Sequence, residues 1–130
     1  MNSYLKRELA KHGLRDFLEA KPPKAAQRIA ARALEIRESL PKSRQGGIDK
    51  AEAARQGIRS GVEQAKSIAA GSVMDAMPVY RFFSRFASKV AKARAEGKTA
   101  ETSRAILAWD LWGGDPMRDT VYRIVGGSRA

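Results

Sequence analysis

The chain has 130 residues and no cysteine, and its 25 Lys and Arg face 14 Asp and Glu for a formal net charge of +11. That length suits one domain with one core, and the lack of cysteine excludes disulfide frameworks, thiolate metal sites and cysteine nucleophiles while fitting a reducing compartment. Residues 1–20 are charged throughout, and no run approaches the roughly 20 apolar residues of a spanning helix, so neither a signal peptide nor a membrane span is read.

Start and stop signals recur along the chain, and no segment alternates apolar and polar residues for long enough to be a strand. The expected fold is therefore all-α, a compact bundle of five to six helices with no sheet, in a single domain spanning 1–130. A first helix over 3–20 carries Leu5, Leu9, Phe17 and Leu18 inward and stops at Lys21-Pro22-Pro23, because the residue before proline disfavours helix. Gly13 weakens it, so residues 1–21 read as a basic N-terminal helix able to sit loosely on the rest. A second runs over 23–40 with Pro23 in its first turn, and Ala26, Ile29, Ala30, Ala33, Ile36 and Leu40 form its inner stripe.

The polar stretch 42–47 is a linker. A third helix starts at Asp49, which caps Glu52 in an acidic capping box, and ends at Gly71 as a left-handed C-cap. Gly57 and Gly61, four apart within it, mark close approach of another backbone or a tolerated weakness. Asp75 caps a fourth helix that reaches about Gly97, with Val79, Phe82, Phe83, Phe86 and Val90 inward. Three of the four phenylalanines of the chain lie there, which places the centre of the core on this helix. Thr99 or Thr102 opens a fifth, carrying Ile106, Leu107, Trp109 and Leu111. Asp115-Pro116 reads as the cap and first turn of a sixth, lined by Met117, Val121, Ile124 and Val125.

The inventory for catalysis is thin. His12 is the only histidine and has no metal-ligand spacing to any partner. No zinc-protease, phosphate-loop or nucleophile-elbow motif is present. Asp110 and Asp115 form a conceivable metal pair, but Asp115 before Pro116 is better read as an N-cap. No catalytic residue, cofactor or metal is expected, and the chain is not read as an enzyme. Its most distinctive segment is AILAWDLWGGDPMRD, residues 105–119. Trp109 and Trp112, three apart on one helical face, either clamp a helix-turn-helix corner or form an aromatic docking patch for a partner protein.

Three stretches in order, the helix ending AKSIAAG after Gly46-Gly47, then VYRFFSRFASKVAK, then AILAWDLWGGDPMRD, resemble a small helical domain recurrent in bacteriophage genomes. In that family a helix with a Phe-Phe-x-Arg core precedes a closing Ala-Trp-x-Leu-Trp-Gly-Gly-Asp motif. The likeness covers roughly residues 30 to 125 and implies a phage structural or genome-associated protein, located in a host cytoplasm or a virion.

Charge is distributed unevenly. Residues 1–45 hold 11 basic and 5 acidic side chains, 46–71 hold 4 and 3, 72–98 hold 6 and 2, and 99–130 hold 4 and 4. The basic surplus thus belongs to the first third and to the aromatic helix, and the C-terminal quarter is balanced. Lys24, Arg28 and Arg32 repeat at four residues on the second helix, as do Arg55 and Arg59 on the third. Arg81, Arg85, Lys89 and Lys92 run along the fourth, opposite its phenylalanines. Residues four apart share a face, so each set forms a stripe able to follow a phosphate backbone. The third and fourth helices also make a loose helix-turn-helix, although their connection is longer than that motif uses. The expected function is phosphate-backbone binding to nucleic acid with low sequence specificity, in a virion or head-assembly component. The alternative is a protein-interaction factor that docks through Trp109 and Trp112 on a capsid, portal or host protein. A membrane partner is not expected, since the apolar faces are committed to a core.

Overall fold

A computed structural model describes residues 18–42 and 61–128. Among these residues five helices dominate, α1 (Lys24–Ser39), α2 (Gly61–Ala69), α3 (Ala76–Ala95), α4 (Arg104–Leu111) and α5 (Gly114–Ser128), with two short strands, β1 (Glu19–Ala20) ahead of α1 and β2 (Met74–Asp75) between α2 and α3. The expectations for residues 3–17, the 43–47 linker, Asp49 with Glu52, Gly57, and Arg55 with Arg59 lie outside the described residues.

The helical expectation holds in its main lines, but a sheet is present. β1 and β2 form an antiparallel ladder with Glu19 opposite Asp75 and Ala20 opposite Met74. The first helix therefore does not extend to Ala20. Two consecutive prolines follow Lys21, and extended backbone ahead of proline is the conformation that pairs with a strand. The Ala76 amide donates to the Leu18 carbonyl at 2.8 Å and closes the ladder. The Asp75 carboxylate caps α3 as expected by accepting the Met77 amide at 3.3 Å, and it also receives the Leu18 amide at 3.4 Å. One aspartate thus starts α3 and anchors the incoming chain.

α1 packs its small face inward. Ala26, Ala30, Ala33 and Ile36 are buried, whereas Ile29 and Leu40 are only half-buried. α2 ends at Gly71, which takes the expected left-handed C-cap with φ +73°. Gly61 does not mark a close approach, because a Cβ built there meets no described atom within 4 Å. α2 packs on α1 and α4 and does not form a helix-turn-helix pair with α3. The connection between α2 and α3 is instead held by the ladder.

α3, α4 and α5 share the aromatic core. Phe82, Phe83, Trp109 and Ile68 are buried together, while Phe86 and Ile124, expected beside them, are half-buried at its edge. The Phe83 and Trp109 rings meet edge to face at 4.7 Å, a favoured aromatic geometry. α4 is opened by neither Thr99 nor Thr102. Ser103 is its cap, its hydroxyl accepting the Ile106 amide at 3.2 Å. Thr102 serves the preceding turn, where its hydroxyl accepts the Thr99 amide at 2.9 Å.

Candidate nucleic-acid interface

The Trp-Gly-Gly-Asp corner joins α4 to α5 and decides what each tryptophan can do. Asp115 is not the N-cap of α5, which already begins at Gly114. Its carboxylate accepts the Trp109 indole N–H at 2.7 Å and two Arg94 N–H groups at 3.1 and 3.4 Å. The Arg94 and Arg118 guanidinium carbons each lie 5.9 Å from the Trp109 ring centroid. Burial alone would raise the Asp115 pKa, but the indole hydrogen bond and the two arginines outweigh it and hold this carboxyl below its ordinary value.

The two glycines make the corner possible. Gly113 has φ +101°, and a Cβ there would stand 2.6 Å from the Met117 Cβ and 3.3 Å from the Ala26 Cβ of α1. At Gly114 the Ile29 Cγ2 would lie 3.0 Å away. The motif therefore seats the corner directly on α1. Trp109, 1% exposed, belongs to the core and presents no docking surface. Trp112 is half-buried and stacks on Phe82 at 4.2 Å with a 10° interplanar angle.

The two basic stripes within the described residues lie on separate sides of the shared core. α4 and α5 both pack against α1 and against α3. On α1, Lys24, Arg28 and Arg32 are exposed, but Arg32 is paired with Glu35 at 3.2 Å. Arg28 and Arg32 also line a small recess of about 320 Å3 together with Asp110. Burial pushes the Asp110 carboxyl up to about 6, against the opposing pull of Arg94.

On α3, Arg81, Arg85, Lys89 and Lys92 are all exposed, and none forms an ion pair with a described carboxylate. The fifth cation of the helix, Arg94, is turned to Asp115. α3 itself contains no acidic residue. Contrary to expectation, the stripe does not run opposite the phenylalanines. At about 100° per residue, Lys89 falls only about 20° from Phe82, and its Nζ sits over the Phe86 ring at 5.4 Å. The stripe borders the aromatic face because the phenylalanines spread over a broad arc rather than a narrow seam.

Along that border opens a groove of about 1220 Å3 between α3 and α4, to whose lining α2 and β2 also contribute. Phe82, Phe86, Leu111 and Trp112 line it, with Ala105 and Ala108 on the α4 side. Sequence reasoning missed this feature. The available signal was an excess of apolar residues at the edges of two helices, Phe86 on one and Ala105, Ala108 and Trp112 on the other.

Among the described residues no group of three or more His, Cys, Asp or Glu is placed to hold a metal ion, and no helix is long and apolar enough to cross a membrane. Comparison with family models, curated proteins and solved structures finds no match to the chain.

Proposed function

We propose that the protein binds nucleic acid through its phosphates along α3, with little base specificity, as a phage-derived virion or head-assembly component. The observation that carries the reading is the state of the α3 cations. Four long basic side chains follow one side of a 20-residue helix that has no carboxylate, and no described acidic group neutralises them. Such a row releases counterions when it meets a polyphosphate, and this attraction is nearly blind to base identity. The α1 stripe, with Arg32 paired to Glu35, is a weaker contributor. The resemblance of the Ala-Trp-x-Leu-Trp-Gly-Gly-Asp run to a phage domain supports the origin, although in this chain the motif places no cation on the α3 stripe.

The test is electrophoretic mobility shift on two unrelated duplexes across a range of salt, with an acidic protein as control. Each phosphate contact adds about 0.9 to the log–log salt slope on duplex DNA, so the α3 stripe alone predicts a slope near −3.6. Strong discrimination between the duplexes, or binding indifferent to salt, contradicts the proposal. A second reading, docking on a phage or host protein, is favoured by a separate observation, the apolar groove that Trp112 lines.

A further inference from the structure

We infer that the α3–α4 groove is a receptor for an acidic amphipathic α-helix of a partner protein. The inference goes beyond phosphate binding, which needs no apolar surface. Its shape is the first argument. The α3 residues that line the groove run from Pro78 to Lys89, and those of α4 and its C-cap from Arg104 to Trp112, which at 1.5 Å per residue are walls of about 16 and 12 Å. That length matches two to three turns of helix. The small side chains Ala105 and Ala108 on the α4 wall permit the close approach that helix packing uses, and Phe86 and Trp112 offer the aromatic surface on which such interfaces concentrate their affinity.

Charge selects the occupant. Arg81, Arg85 and Lys89 line the groove from α3, so a row of cations borders the apolar strip on that side. Asp75 is the only carboxylate among the lining residues, and it is engaged by the Met77 and Leu18 amides. A helix with one apolar face and glutamates beside it satisfies both the strip and its basic α3 rim. The undescribed parts of the chain have the wrong sign for this role. Residues 1–17 carry four basic and two acidic side chains, as do residues 43–60. A second copy of this basic chain meets the same repulsion, and nucleobases leave their polar edges unpaired against alanine, leucine and phenylalanine.

The probe is a stapled helical peptide of about 15 residues with leucine at three-four spacing and glutamate elsewhere, titrated into the full-length protein while tryptophan fluorescence and anisotropy are followed. A scrambled peptide of identical charge is the control. The expected result is saturable binding at least tenfold tighter for the amphipathic peptide, with a change in tryptophan emission from Trp112. Ala108→Phe, which fills the groove and leaves every cation in place, should weaken the peptide at least tenfold while leaving the salt slope for duplex DNA unchanged. If Ala108→Phe does not fold, the exposed pair Arg85→Glu and Lys89→Glu replaces it and should reverse the preference toward a basic amphipathic peptide. Equal binding of the scrambled peptide overturns the inference. So does an unaltered peptide affinity in folded Ala108→Phe. Single-stranded DNA that is displaced by the peptide and weakened by Ala108→Phe would assign the groove to bases, and a dimer dissociated by the peptide would assign it to a second copy. A tenfold rise in peptide affinity in Leu5→Glu, Leu9→Glu would assign it to the chain's own first segment. Loss of DNA binding with peptide binding intact would defeat only the phosphate proposal.

Discussion

α1 and α3 present the same sequence signature, cations four residues apart over an apolar stripe, and the structure makes them different objects. The inner face of α1 is nearly all alanine, which brings the α4–α5 corner so close that Gly113 and Gly114 have room only for hydrogen at their Cα atoms. The inner face of α3 is aromatic and spreads until its edge becomes one wall of an open groove. Outside, α1 also carries Glu35 and Glu38, and one of its arginines is paired, whereas α3 holds its four stripe cations without a carboxylate on the helix. Equal spacing therefore does not mean equal surface. A cation stripe is a candidate site only where neighbouring acids leave it charged and the packing beneath it leaves something to bind.

Removing the largest side chains tests the difference most severely. Phe83 is fully buried against Trp109, so Phe83→Ala should lower stability by about 3–5 kcal/mol, measured by urea denaturation. Half-buried Phe86 should lose clearly less on the same change, and equal losses would mean that Phe86 is core rather than groove wall. On the α1 side, Gly113→Ala combines a left-handed residue with overlap onto Met117 and Ala26, and should destabilise by about 2–5 kcal/mol. A loss below about 1 kcal/mol would show that the corner does not sit tightly on α1.

A smaller effect concerns pH and the α1 recess. Asp110, raised from 3.8 to about 6, favours its neutral form in the folded chain. Its contribution to stability is fully present below the unfolded value and is lost as pH rises through about 6. Asp110→Asn should therefore match wild type near pH 4 and exceed it at pH 7.5, by about 1–2 kcal/mol after allowance for partial solvent screening. Asp115 works in the opposite sense. Its lowered value stabilises the fold at neutral pH, and that contribution disappears on acidification. Thermal melts of wild type and Asp110→Asn across this range separate the two, and a constant gap at all pH values would exclude Asp110 as the titrating group.

The smallest changes in stability distinguish the two stripes directly. Arg85→Ala should leave stability within about 0.5 kcal/mol and reduce the DNA salt slope by about one unit for any sequence. Arg32→Ala, which removes a cation already paired with Glu35, should reduce it by less than half as much. Identical slopes for the two variants would erase the distinction between the helices as DNA-binding surfaces.

The sequence by itself determined the five described helices and several of their boundaries. Pro23 and Leu40 flank α1, Asp75 caps α3, Gly71 ends the turn after α2, and the buried members of each stripe recur at three-four spacing. These features are local, since capping, proline geometry and periodicity act within a turn or two of chain. Only the tertiary structure decided what lies between distant segments. Glu19–Ala20 becomes a strand because Met74–Asp75, more than fifty positions away, offers it a partner. Asp115 exchanges an N-cap role for the Trp109 indole and Arg94 because α3, α4 and α5 converge there. The groove exists because two apolar edges, each an unremarkable margin on its own helix, are set side by side with no described residue covering them. No periodicity reports such a juxtaposition, because it depends on the angle and distance at which helices cross, which are set by side-chain volumes on all the elements packed together.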